Sequence, residues 1–363
     1  MRNVHNWQLY HWHLELSSKC TLKCPRCPRT ELPDTPWINL DWSLKEFKSV
    51  FTEDLLKNYV KRLTLCGDIG DPIYAKDFLP IIEYVKKVNP ECHTVTITNG
   101  SHKKPDWWNK LAGLLNEYDV INFSVDGYDN FTNNLYRKNS NFDSIMEGMS
   151  IIGNNSDAFV VWAAIYFSFN QDNQEKILKL AKENNCDSLQ WTKSTKFGSK
   201  YGDAYQGNND SLEPRQEFIS STHRYSRHTI DISNRKIPNH EYMKLNKKKY
   251  QEVQPVGDII PLCMIGNRGL YLSADGVLHP CSWTSFPYIE MSDGTKNIKY
   301  EDSFFAKHRH ELNAKIHGID AVLNSKLWNK LFSSWKNDPW VECNLKCNKK
   351  YVDENYAVGW ETN

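Results

Sequence analysis

The feature that most constrains this chain is Cys20-Thr21-Leu22-Lys23-Cys24-Pro25-Arg26-Cys27, three cysteines spaced CxxxCxxC after a strand-like run, His13-Leu14-Glu15-Leu16-Ser17. Thiolates this close in a tight loop can converge on one soft metal centre. Three is the informative number. A structural zinc site closes with four ligands, whereas three thiolates on a cubane iron–sulfur cluster leave one iron open to hold a substrate.

The bulk numbers permit such a fold. With 363 residues the chain can form one large domain or two ordinary ones. A hydrophobic content of 40% supports a sizeable core and excludes global disorder. The net charge of +1 argues neither for nor against nucleic acid. No apolar run reaches membrane-spanning length, and 159–169 fits a buried strand instead. Met1-Arg2-Asn3-Val4-His5 carries no apolar signal segment, so a cytoplasmic location is expected. There, clustered cysteines are more often metal ligands than disulfides.

From about residue 12 to 192 strand and helix patterns alternate, with strands expected at 12–17, 60–66, 93–98, 119–125, 158–167 and 187–192. The first helix opens with a capping box, Ser43-Leu44-Lys45-Glu46, and sets Phe47, Val50, Phe51 and Leu55 on one face. Repeated strand–helix units imply parallel strands with right-handed crossovers, as an open sheet or a partial barrel. Several strands alternate. Asn122, Ser124 and Asp126 oppose Ile121, Phe123 and Val125, and Thr94, Thr96 and Thr98 oppose Val95 and Ile97. One polar face per strand points to a wet barrel interior. The plainer alternative is that these groups bond one another.

Residues 193–258 break the alternation. Between 193 and 250 there are twelve Lys and Arg against six Asp and Glu. A solvated connector is the default, and a lid over an acidic substrate the alternative. Residues 259–363 form a further unit. Tyr271 to Leu278 reads as a hairpin turning at Asp275-Gly276, with helices near 301–316 and 320–335. Cys263, Cys281, Cys343 and Cys347 fall in this unit.

Together these motifs resemble the radical S-adenosylmethionine (SAM) family. The resemblance implies a partial (β/α)6 TIM-like barrel over 1–192, a connector or lid over 193–258 and a small auxiliary-cluster domain over 259–363. Cys20, Cys24 and Cys27 would hold a [4Fe–4S] cluster whose free iron chelates SAM's methionine part. Cys66-Gly67-Asp68-Ile69-Gly70-Asp71-Pro72 matches the family's Gly-Glu-Pro type motif, with Asp71 in place of Glu. Gly70, Asp71 and Pro72 would thus meet the methionine ammonium. Thr98-Asn99-Gly100 resembles the usual third-strand ending, which puts Asn99 near the ribose or substrate. Ser124 and Arg137 take the places that contact SAM's polar groups in SPASM-type members, with Asp126 beside them. Arg26 stands where an aromatic residue usually lies by the adenine, and a guanidinium can stack there.

The C-terminal arrangement, Cys263 and then Gly276 five positions before Cys281, resembles the opening of a SPASM domain. Four cysteines imply a second, fully ligated [4Fe–4S] cluster, as in the shorter twitch version. Spacing alone also allows four-thiolate zinc. Cys66 is a candidate hydrogen-atom donor, with core packing the commoner role for a lone strand cysteine. The resemblance implies an oxidoreductase or maturase fed by an electron donor such as flavodoxin or ferredoxin. A peptide or protein substrate ranks ahead of a small alcohol or sugar. Only about ten residues precede the first strand, which weighs against a leader-guided peptide. No membrane partner is expected. A non-catalytic metal protein touching nucleic acid through the basic segment is the reading of another class.

Overall fold

The computed structural model describes residues 9–31, 39–193, 212–216, 227–236, 255–265, 269–285, 288–289, 298–299, 304–340, 343–344 and 347–350. Most of the basic connector therefore lies outside the described residues, including Gly198, Gly202 and Gly207 and the segment read as a lid.

Six strands follow the alternation: β1 (His11–Leu14), β2 (Arg62–Leu65), β3 (His93–Thr98), β4 (Val120–Ser124), β5 (Phe159–Tyr166) and β6 (Ser188–Lys193). They pair in sequence order, all parallel. Their crossovers carry α1 (Pro28–Glu31), α2 (Leu44–Val50), α3 (Glu53–Asn58), α4 (Phe78–Val88), α5 (Pro105–Ala112), α6 (Asn130–Tyr136), α7 (Phe142–Asn155) and α8 (Gln174–Glu183). The capping box forms as read: Ser43 N donates to Glu46 Oε2 at 2.8 Å, and Glu46 N donates to Ser43 Oγ at 3.2 Å. The helix it opens is shorter than its apolar stripe. It ends at Phe51, and Thr52 caps α3 as a second helix.

One face of the sheet packs on these helices. Trp12 meets Phe51 edge-on at 5.3 Å, Phe123 meets Trp108 at 5.4 Å, and Trp162 meets Phe142 at 6.3 Å. Each such buried side chain contributes about 2–3 kcal/mol of transfer free energy. Register then assigns the faces, because residues side by side on neighbouring strands point the same way. Thr96 pairs with Ile121 and Thr98 with Phe123. The threonine face of β3 thus lies against the helices, contrary to the polar-interior expectation. Val95 and Ile97 share the inner face with Asn122 and Ser124. Thr94 and Thr98 are satisfied outside, by Asp119 and Asp71 respectively.

The sheet extends beyond β6 and β1. β7 (Arg227–Asp231) lies antiparallel on β6. β8 (Leu270–Leu272) pairs parallel with β1, and β9 (Leu278–His279) returns antiparallel on β8. These nine strands form one open sheet, a partial barrel, and β10 (Tyr288–Ile289) pairs antiparallel with β11 (Ile298–Lys299) in a separate two-stranded sheet. The Asp275-Gly276 turn closes the β8–β9 hairpin, with Gly276 at φ +91°. The C-terminal hairpin is therefore a continuation of the barrel sheet. The helices behind it are shorter than expected: α9 (Phe304–Lys307), α10 (Ala314–His317), α11 (Ile319–Leu323) and α12 (Lys326–Ser333). Among the described residues no helix is long and apolar enough to cross a membrane.

Candidate active site at the carboxyl rim of the strands

The cysteine loop leaves β1 at the carboxyl end of the parallel strands, the end where barrel enzymes build their sites. Cys27 N donates to Cys24 O at 3.1 Å, which folds the loop back into α1. Leu22 N donates to Cys20 Sγ at 3.4 Å. The three thiols are half-exposed and lie within electrostatic reach of one another. Burial of the sulfurs pushes the Cys20 and Cys24 thiols up to about 12. Asp71 adds to that rise at Cys20, while Arg137 opposes it at Cys24. Such thiols ionise at neutral pH only when a bound cation draws out the proton. Three soft donors at one rim, with an open side, fit a cluster. Among the described residues no three His, Cys, Asp or Glu side chains gather tightly enough to hold a single metal ion.

Gly70 sets the next wall. A Cβ on it would fall 2.0 Å from Ser17 O and 2.5 Å from Ser18 Cα. Only glycine lets the loop after β2 lie against the start of the cysteine loop, where Asp71 N donates to Lys19 O at 2.8 Å. The Asp71 carboxylate is already occupied. Thr98 Oγ1 donates to it at 2.9 Å, Asn99 N and Nδ2 each at 2.6 Å, and Ile73 N at 3.2 Å. Burial still raises its pKa to about 6 against those donors. Asn99 Nδ2 also reaches Cys20 Sγ at 3.5 Å. Asp71 thus pins the ends of β2 and β3 together, and Asn99 links that junction to the first thiol.

Asp126 plays the same part after β4. Ile165 N donates to it at 2.7 Å, and Arg137 Nε stands 2.7 Å from its other oxygen. Ser124 closes β4 half-exposed on the inner face, and Arg26 is buried at 4% exposure beside Cys27. Cys66 ends β2, and burial with Asp68, Asp71 and Glu15 nearby drives its thiol far up. Cys92 and Cys186 pack in the core.

Glu15 matters more than its sequence position disclosed. It is buried and accepts from Ile69 N (2.9 Å), Gly70 N (3.1 Å), Tyr271 OH (3.2 Å) and Ala274 N (3.3 Å). It joins β1, the loop after β2 and the C-terminal hairpin. His13 Nε2 meets Cys66 O at 2.8 Å, and burial lowers its pKa to about 4. Ser285, four residues past Cys281, bonds Asp68 in the same loop. Tyr74 was also missed. Its hydroxyl donates to Ser101 O at 2.5 Å and lies 2.9 Å from Thr21 Oγ1, tying the cysteine loop to the end of β3. Its spacing of three from Asp71 was the available signal.

Cys263, Cys343 and Cys347 come together across more than eighty residues of chain. Cys263 and Cys347 are buried with Ile259, Leu262 and Trp335, and Cys343 packs against them. Cys347, Cys281 and Cys343 all act on the Cys263 thiol and help drive it far up.

A parallel open barrel with a three-thiol loop at the rim of its first strand defines a class, the α/β-barrel proteins that carry their cofactor at the strand ends. Residues 14–188 match the model of the radical SAM superfamily. The superfamily implies a [4Fe–4S] cluster and SAM. Among solved structures the chain resembles native anSMEcpe with bound AdoMet, at 13% identity and TM-score 0.50, covering 96% of this chain and 93% of that one. It also resembles Streptococcus suis SuiB bound to S-adenosylmethionine, at 12% identity and TM-score 0.49, covering 94% and 78%. Native anSMEcpe with bound AdoMet and Cp18Cys peptide aligns at 12% identity and TM-score 0.49, covering 96% and 93%. At these identities the likeness concerns the fold. Among curated proteins none matches the chain.

Proposed function

We propose that this chain is a radical SAM maturase acting on a peptide or protein residue, with a second cluster held by Cys263, Cys281, Cys343 and Cys347. The observation that carries it is the shared rim. The three thiols, the Gly70-Asp71-Pro72 turn, Asn99, Ser124 and Arg137 all stand at the carboxyl ends of β1 to β4. The cluster and SAM, when bound, supply reductive cleavage to a 5′-deoxyadenosyl radical that takes a hydrogen atom from the substrate.

The chain's residues bind, orient and shield. Cys20, Cys24 and Cys27 ligate. The turn at Gly70 and Pro72 would offer backbone to the methionine end, while Asp71 holds that turn in place. Ser124 and Arg137 would hold SAM's polar groups, Asp126 fixes Arg137, and Arg26 would meet the adenine. Cys66, kept protonated by burial and then by Asp68, Asp71 and Glu15 around it, retains the S–H that a hydrogen donor needs. A cytoplasmic location and a flavodoxin- or ferredoxin-type electron donor go with this reading.

Anaerobic reconstitution tests this. About eight irons per chain are expected, with 5′-deoxyadenosine released on adding dithionite and SAM. About four irons with one zinc would remove the second cluster and keep the radical chemistry. No iron at the rim would reject the proposal.

A further inference from the structure

The cysteine loop is docked on the turn that follows α6. Lys23 N donates to Lys138 O at 3.0 Å, and Asn139 Nδ2 donates to Thr21 O at 2.8 Å. Between these tethers Cys24 packs against Tyr136 and Phe167, with Leu212 on the same cluster. Arg137 leaves this turn 13% exposed and pairs with the fully buried Asp126. Asp126 has no freedom to shift. Its Oδ1 accepts from Ile165 N at 2.7 Å, its carbonyl accepts from Asn170 Nδ2 at 2.8 Å, and its own N bonds Asn133 Oδ1 at 3.0 Å. The pair is an oriented dipole. Its carboxylate is rooted between β4 and β5, and Arg137 directly follows Tyr136, on which Cys24 packs.

We propose, on the reading that the rim thiols hold a cluster, that Arg137 is a positioning residue for electron entry: its fixed positive charge beside Cys24 raises the potential of that cluster. Reduction adds an electron to an already negative group, and a nearby cation favours the reduced form. The Tyr136 and Phe167 wall keeps water from screening that charge. The resemblance assigns Arg137 to SAM's polar groups, and the two roles separate by measurement.

The test is an EPR-monitored redox titration of the reconstituted full chain, the rim cluster being the one whose signal changes on adding SAM. R137Q alone strands a buried carboxylate and risks unfolding. The D126N/R137Q double variant replaces the ion pair by neutral groups of similar size. With iron content and melting temperature retained, its rim cluster is expected to titrate at a more negative potential than wild type, the second cluster being unmoved. R137K, which keeps the charge, is expected to return toward wild type. An unchanged rim potential in the double variant overturns the proposal, whatever happens to SAM affinity. A wild-type chain without a rim cluster overturns this proposal and the proposed function together. A rim cluster without 5′-deoxyadenosine release overturns the proposed function alone, and the potential still decides the role of Arg137.

Discussion

Cys20, Cys24 and Cys27 are half-exposed and stand among charges, with Asp71 near the first and Arg137 and Asp126 near the second. Cys263 and Cys347 are buried in an apolar nest of Ile259, Leu262 and Trp335, where other cysteines dominate the surroundings. The contrast bears on use. Partly exposed thiols with fixed charges beside them leave room for a ligand and allow a potential to be set. Closed thiols in an apolar shell suit a cluster that stores or relays an electron, or that holds the substrate wall in shape.

The sharpest way to break the contrast is to empty each group in turn. A C20A/C24A/C27A variant should lose about four irons and cut 5′-deoxyadenosine release by about 1,000-fold or more, read by metal analysis and chromatography. C263A/C347A should also lose about four irons, yet keep 5′-deoxyadenosine release while product formation falls. Cleavage lost equally in both variants would erase the distinction.

Two glycines sharpen the comparison at the level of backbone. G70A drives a Cβ to 2.0 Å from Ser17 O, a backbone atom that cannot yield. It should cost about 3 kcal/mol or more in thermal unfolding and lower iron loading at the rim alone. The buried histidines come next. Burial holds His13 at about 4 and His279 at about 3, below the ordinary 6.5. At these two histidines the unfolded chain binds protons first as pH falls below 6.5, so their contribution to stability is constant above that pH and is lost toward pH 4. For His13 the loss at pH 4 is about 3 kcal/mol, and H13N should flatten that acid limb in denaturant titrations. G276A should cost least, about 1 kcal/mol. Its Cβ meets Lys315 Cγ at 2.6 Å, and that flexible side chain can move, leaving the strain of φ +91°.

The amino-acid sequence by itself determined what is local. The 3.6- and 2-residue periodicities marked every parallel strand to within a few residues, with β3 at 93–98 as read. The Ser43 capping box, the Asp275-Gly276 hairpin and the cysteine spacing also needed only neighbours a few positions away. What depended on distant partners was decided by the fold. Alternation showed that β3 has two faces, but only its register with β4 sent the threonines outward. The Asp71 motif was visible, yet its carboxylate was claimed by Thr98 and Asn99 once β2 and β3 lay side by side. The pairing of β8 with β1, the meeting of Cys263 with Cys347 and the placing of Arg137 beside Cys24 each depend on sheet order and loop packing. Such contacts join groups tens to hundreds of residues apart, and no window of local sequence encodes their distance.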